Sequence, residues 1–367
     1  MPLTKLEDIM DDNDEETERM EKTMMIPVRI QANTTWISKQ IALCLRRSHV
    51  LKVLINIRIP KWTFADFTQA LDISDMKTPP CGQVRTTGSL RDKYAPIEDF
   101  RFPWPFPANP SLLYKIRSYL TIGFVSSLSK LLFLGGANKL RIHNRERFLN
   151  AWRDRSRPLI TVSNHRCNID DPLMWAFITA REMCKNIDRH RYTLAAHNIC
   201  FSKKWHTTFF ALGRCVPCVR GCGVYQKGMD FCVEKLNENG WVHMFPEGRV
   251  TEEPLRFKWG VGRLVMDSIN PPLILPVWCT NMSSVWPAHP PYYPRFGHNV
   301  DIHFGKLLDT RPFVDELSSK KNWSELKRRK FITDAIQTEL YELGEEVGNL
   351  PHGTALRILQ DNKNDTL

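Results

Sequence analysis

The sequence predicts an α/β domain, a central sheet flanked by helices. Three observations predict it. Five short apolar or alternating runs follow residue 157, each bounded by turn residues; segments of helical length separate them; and 42% of the 367 residues are hydrophobic, enough for a sizeable core. The strands fall at 158–162, 215–219, 241–245, 273–277 and 300–304. Helices are expected over 171–183, 204–212, 227–238, 256–268 and 323–346, the last with Ile332, Ile336, Leu340 and Leu343 on one face.

The chain before this domain divides by composition. Residues 1–21 hold nine acidic groups against Lys5 and Arg19, the opposite of a secretory signal or an import presequence, so 1–22 reads as a disordered acidic leader. Residues 23–65 contain no acid, and Arg29, Lys39, Arg46, Arg47, Lys52, Arg58 and Lys61 alternate with apolar residues. An interface-seeking segment and a small basic subdomain fit that pattern equally, and with the turn-rich stretch to 101 it forms a basic extension and linker. Residues 102–138 form a membrane-interface segment. Prolines around Trp104 and Phe106 exclude a helix there and favour a docking loop. The apolar run 119–129 is about half a membrane span, and Lys130 opposes insertion to mid-bilayer. A helix lying in one leaflet, with Leu120, Phe124, Leu128 and Leu131 towards lipid, is the preferred reading, and an amphipathic core helix is the alternative. The α/β domain then spans 139–350, and 351–367 is expected to be a flexible tail.

Net charge is +11, and the leader conceals part of it: beyond residue 21 stand 49 basic and 31 acidic residues. Such a balance calls for an anionic partner. No helix-turn-helix, RRM or finger spacing is present, so anionic lipid is favoured over nucleic acid. Ten scattered cysteines read as free thiols. Cys215, Cys218 and Cys222 cluster, but without a second ligand pair no metal is expected, and no cofactor.

Two constellations carry chemistry. After the first strand the chain reads Ser163-Asn164-His165-Arg166-Cys167-Asn168-Ile169-Asp170-Asp171-Pro172. A helix starting at the proline lets Asp170 curl back onto His165, which suits a general base whose second ring nitrogen is held by a carboxylate. An isolated His and Asp five apart is also a common surface pair, and no G-x-S-x-G elbow supplies a nucleophile. Further strand ends carry Arg220, and Glu247, Gly248 and Arg249. Ligands of open α/β sheets bind beyond such ends, and an Arg there suits phosphate.

In order and spacing, Asn164-His165-x4-Asp170, Val216-Pro-x-x-Arg220, Phe245-Pro-Glu-Gly248 and Ile274-Leu-Pro-Val277 resemble the four motifs of the glycerolipid acyltransferase family. The longer stretches 104–110, 143–148, 223–231, 241–249, 256–264 and 290–297 resemble its phospholipid–lysophospholipid transacylases, and the likeness covers 102–345. It implies a glycerol-3-phosphate acyltransferase-like fold with a monotopic interface helix. His165 would deprotonate a lysophospholipid hydroxyl, with Asp170 orienting the ring. Arg220, Glu247, Gly248 and Arg249 would hold phosphate and glycerol, and Pro276 would shape the acyl site. The resemblance further implies a coenzyme A-independent transfer that remodels cardiolipin, with phospholipid as donor and monolysocardiolipin as acceptor. The implied location is mitochondrial membranes facing the intermembrane space, with membrane-protein complexes there as partners. An acyl-CoA-dependent acyltransferase and a non-catalytic membrane scaffold are the alternatives. Arg166, inside the first motif, adds a cation beside the base that would lower its pKa or recruit lipid phosphate.

Overall fold

The computed structural model of the chain describes residues 103–361, so the leader and nearly all of the basic extension lie outside the described residues. Helix α1 (Leu112–Leu131) precedes β1 (Lys139–His143) and α2 (Arg145–Arg153). Strand β2 (Leu159–Ser163) leads to a single turn, α3 (Asp170–Leu173), and to α4 (Ala180–Asn186), β3 (Tyr192–Ala196), α5 (Lys204–Leu212) and β4 (Cys215–Cys218). Then come α6 (Lys227–Asn237), β5 (Trp241–Met244), α7 (Gly260–Asp267) and β6 (Leu273–Thr280). The described chain closes with β7 (Asn299–Phe304), β8 (Leu308–Asp309), α8 (Arg311–Ser319), α9 (Glu325–Glu346) and α10 (Thr354–Asp361).

The eight strands form one sheet in the order β1-β7-β6-β2-β5-β3-β4, with β8 beside β6. Strands β6, β2, β5, β3 and β4 run parallel, whereas β7 and β8 run antiparallel to β6. Every residue of β2 and β5 is buried, as expected of strands covered on both faces. Alternation sends Ile160, Val162, Val242, Met244, Ile274 and Trp278 to one core, closed by α6, α7, α9 and α10. Leu159, Trp241, Leu275 and Val277 face the other, with Phe148 and Trp152 of α2 and Trp175. Helix α7 meets α9 closely because Gly262 has no side chain: a Cβ there would stand 2.5 Å from the Arg329 carbonyl oxygen.

Helix α1 is capped by Ser111, whose Oγ accepts from the Tyr114 N–H, and it packs on α3 and α5. Ile122 enters the core and Ser118 Oγ donates to the Leu212 carbonyl at 2.8 Å. The opposite face exposes Leu112, Leu113, Ile116, Leu120, Phe124, Leu128 and Leu131. Three hydroxyls along the helix, on Thr121, Ser127 and Ser129, donate to the carbonyl four residues earlier, which satisfies them without water. By length and composition, Leu112–Gly136 is long and apolar enough to cross a membrane.

The structure corrects several expectations. Phe106 is not a lipid-docking residue: it is 8% exposed and stacks on Phe231 of α6 at 4.5 Å between ring centroids. Half-buried Trp104 packs on the same ring, so the proline-rich segment straps the core. The helix expected over 171–183 is broken, because Asp171 leaves helical dihedrals and Thr179 starts α4 with a capping box to Glu182. Strands β1 and β3 went unforeseen, β1 because its alternate residues are charged and exposed at the sheet edge. The tail is ordered further than expected, since Ala355, Ile358 and Leu359 of α10 join the core.

Phe106→Ala should cost about 3–5 kcal/mol in urea unfolding and leave vesicle binding unchanged. A lipid-facing Phe106 would show the reverse pattern.

Candidate active site

The carboxyl ends of β2 and β5 lie side by side, and the two loops that leave them are laced together. The Thr251 N–H donates to the His165 carbonyl at 3.0 Å, and the His165 N–H donates to Glu247 Oε2 at 3.0 Å. On the other flank Asn164 extends the β2–β6 ladder with its side chain. Its Nδ2 donates to the Cys279 carbonyl and its Oδ1 accepts from the Cys279 N–H, both at 2.8 Å. His165 thus stands on a turn held from both sides.

Asp170, 1% exposed, completes that turn. Its Oδ2 accepts from His165 Nδ1 at 2.9 Å and from the backbone N–H groups of Arg166 at 2.5 Å and Cys167 at 2.9 Å. Oδ1 accepts from the Cys167 thiol at 3.0 Å. With Nδ1–H donating to the carboxylate, the neutral ring carries its lone pair on Nε2, the tautomer a general base requires. The His165 side chain is 16% exposed, and its ring stacks on Phe245 at 4.1 Å, which fixes its plane. Burial and the adjacent Asp170 push the Cys167 thiol far above its ordinary value, so it stays protonated and is no nucleophile. The neighbouring Asp171 turns the other way, pairing with Arg191 and accepting from Trp175 Nε1 at 2.8 Å.

The remaining motif residues divide into buried and exposed sets. Glu247 does not face ligand: it is 1% exposed and accepts from the His165 backbone and from the Tyr341 hydroxyl at 3.3 Å. Its role is to brace the base. Arg166 is likewise no phosphate collector, because it is 9% exposed, donates to the Thr251 carbonyl, lies 3.5 Å from Glu247 and sits over the Trp278 ring. Pro276 is buried inside the sheet rather than lining an acyl site. Between Val277↔Phe304 and Ile274↔Leu308 the β7–β8 edge is interrupted, and there Pro276 needs no N–H to donate. Gly248 takes φ +76°, closing a turn in which its N–H donates to the Phe245 carbonyl, and exposed Arg249 follows it. Exposed Arg220 lies in the turn two residues past β4, which is three strands from β2 and about 14 Å across the sheet, so it is not part of the His165 cluster. Sequence reasoning missed Tyr341, which reaches Glu247 from 94 residues away, and the bracing role of Asn164.

Burial lifts the Glu247 carboxyl from 4.5 to about 7, although Arg166 opposes the shift. The folded chain therefore holds this proton more tightly than the unfolded chain. The resulting stability is full below pH 4.5 and is lost as pH rises through about 7. Glu247→Gln should flatten a decline of about 3 kcal/mol across that window in urea unfolding. Identical pH slopes for both proteins would refute the assignment.

The Acyltransferase family matches residues 139–280, which hold both laced loops. Tafazzin of Drosophila melanogaster is 38% identical over 77% of this chain and 75% of its own length. The tafazzin of Dictyostelium discoideum is 39% identical over 45% of this chain and 58% of its length. An N-acylphosphatidylethanolamine synthase of Arabidopsis thaliana is 37% identical over 38% and 51% respectively.

Proposed function

The chain belongs to the tafazzin family of acyltransferases, and on that premise we propose that it moves acyl chains from phospholipid to lysophospholipid without coenzyme A. The observation that carries the acyl transfer is the His165 Nδ1–Asp170 Oδ2 pair at 2.9 Å, on a turn whose thiol, Cys167, is buried and held protonated, and the choice of donor rests on the motif resemblance in the sequence. His165 Nε2 takes the proton of the acceptor hydroxyl as its oxygen attacks the donor ester carbonyl. The tetrahedral intermediate collapses by expelling the donor's glycerol oxygen, which receives that proton from Nε2. The base is regenerated, one ester bond has formed and one has broken.

We assign the acceptor as monolysocardiolipin, the product as remodelled cardiolipin, and the site of action as mitochondrial membranes facing the intermembrane space, where membrane-protein complexes are its partners. What supports an anionic lipid is the excess of basic residues beyond the leader. Arg249 at the exposed turn and Arg220 just past β4 are the proposed phosphate contacts. Helix α1 lies in the interface: one face is docked on α3 and α5, and the other presents Leu120, Phe124, Leu128 and Leu131.

Purified full-length chain, given labelled monolysocardiolipin and phosphatidylcholine alone, should form labelled cardiolipin. A strict requirement for acyl-CoA would overturn the donor assignment, and transfer to the amine of phosphatidylethanolamine instead would overturn the acceptor. His165→Ala should lower the rate about 10²–10⁴-fold and leave vesicle binding unchanged. Phe124→Glu with Leu128→Glu should weaken binding to cardiolipin-containing vesicles at least roughly 100-fold while leaving the unfolding midpoint in place.

A further inference from the structure

We propose that His143, Asp301 and His303 form a binding site for a transition-metal dication of borderline softness, Zn²⁺ or Cu²⁺, on the outer edge of the sheet. The residues belong to neither the His165 cluster nor the lipid-facing helix. Strands β1 and β7 are parallel and in register, with Arg141 opposite Asp301 and His143 opposite His303. Registered partners share a face, and the two-residue period puts Asp301 on the same face as His303. Val300, Ile302 and Phe304 point into the core, which leaves the other set open.

The donor atoms of the three side chains all lie within 4.8 Å of one another. His143 Nε2 is 2.8 Å from Asp301 Oδ1, and the two imidazoles stack with centroids 4.1 Å apart and planes 4° from parallel. Ligands of a tetrahedral ion, bonded at about 2.0–2.1 Å, stand roughly 3.3 Å apart. Imidazole lone pairs lie in the ring plane, so the rings must turn out of their stack to converge on an ion, and the paired strands hold the two backbones close enough for that rotation. Arg141 Nη2 donates to Asp301 Oδ2 at 2.8 Å, which fixes the carboxylate and leaves Oδ1 turned to the histidines, the support a metal-bound carboxylate needs. A surface His–Asp pair would explain His143 and Asp301. It gives no reason for a second, stacked imidazole directly in register.

Two imidazole nitrogens and one carboxylate oxygen favour zinc or copper over magnesium or calcium. Three protein ligands leave a position for water on the exposed side. Among the described residues, the cysteines at 215, 218 and 222 do not converge in this way. A bound ion would tie β1 to β7, which itself pairs with the carboxyl half of β6.

The test uses the full-length chain freed of metal by chelation. Titration with Co²⁺, read by visible absorption and displaced by Zn²⁺, should show one tight site without thiolate charge-transfer bands. Combining His143→Ala with His303→Ala should weaken that binding by about 100-fold or more, with circular dichroism reporting an intact fold. In the unsubstituted chain, Zn²⁺ should protect both imidazoles from diethylpyrocarbonate, read by mass spectrometry, a measurement that needs no variant to fold. Unchanged affinity in the double variant, or no protection of either imidazole at saturating Zn²⁺, overturns the proposal.

Discussion

The candidate site depends on one buried carboxylate. Asp170 collects an imidazole N–H, two backbone N–H groups and a thiol, so four donors within five residues share a single acceptor group. A carboxylate removed from water is tolerated only when so fully bonded. Here the bonding also sets the function. The donors that satisfy Asp170 are the backbone of the loop carrying His165, so the charge that orients the ring is the charge that shapes its turn. The break in the helix at Asp171 belongs to the same arrangement, since it lets adjacent carboxylates serve different partners, one the base and the other Arg191.

The parallel β6-β2-β5 centre explains why two loops far apart in sequence meet. Neighbouring parallel strands end at the same side of the sheet, so the 164–170 and 245–251 loops are adjacent by topology. Asn164 and Glu247 then turn adjacency into fixed geometry through bonds to backbone, and Arg166 and Tyr341 seal the layer beneath. The residues that brace the His165 turn are thus largely of types that suggest ligand binding. Burial is what distinguishes the two roles: Glu247 and Arg166 are inside, while Arg249 is outside.

Much of this was legible in the sequence. Strands β2, β5 and β6 announced themselves because strands covered on both faces are near-continuous apolar runs, β7 because its apolar residues alternate, and β4 as a short apolar run between turn residues. The five-residue spacing from His165 to Asp170 suggested their pairing because it is local. What was illegible was nonlocal or at an edge. Strand β1 alternates charge with Leu and Ile and pairs with residues 160 positions away, and Tyr341 reaches the site only through the packing of α9 on β6. The proline-rich aromatics misled for a different reason. Exposed and buried Trp or Phe beside proline look alike in sequence, and only the partner ring, Phe231, tells them apart.

The position of α1 joins the chemistry to the lipid phase on the proposed function. This helix packs directly on α3, the turn that begins with Asp170, so the element carrying the apolar stripe is in contact with the turn that orients the base. On the side away from the core, the Thr121 and Ser127 hydroxyls are bonded back into carbonyls of the helix itself, which lowers the cost of taking that side out of water. Two lipids exchanging an acyl chain must both reach one imidazole while their tails remain among other tails. A base raised far above the bilayer would require each substrate to leave the membrane, at roughly 0.8 kcal/mol for every methylene withdrawn. Anchoring the Asp170 turn to an interfacial helix avoids that cost by bringing the protein to the lipid, and the acyl chain then needs to move only between neighbours.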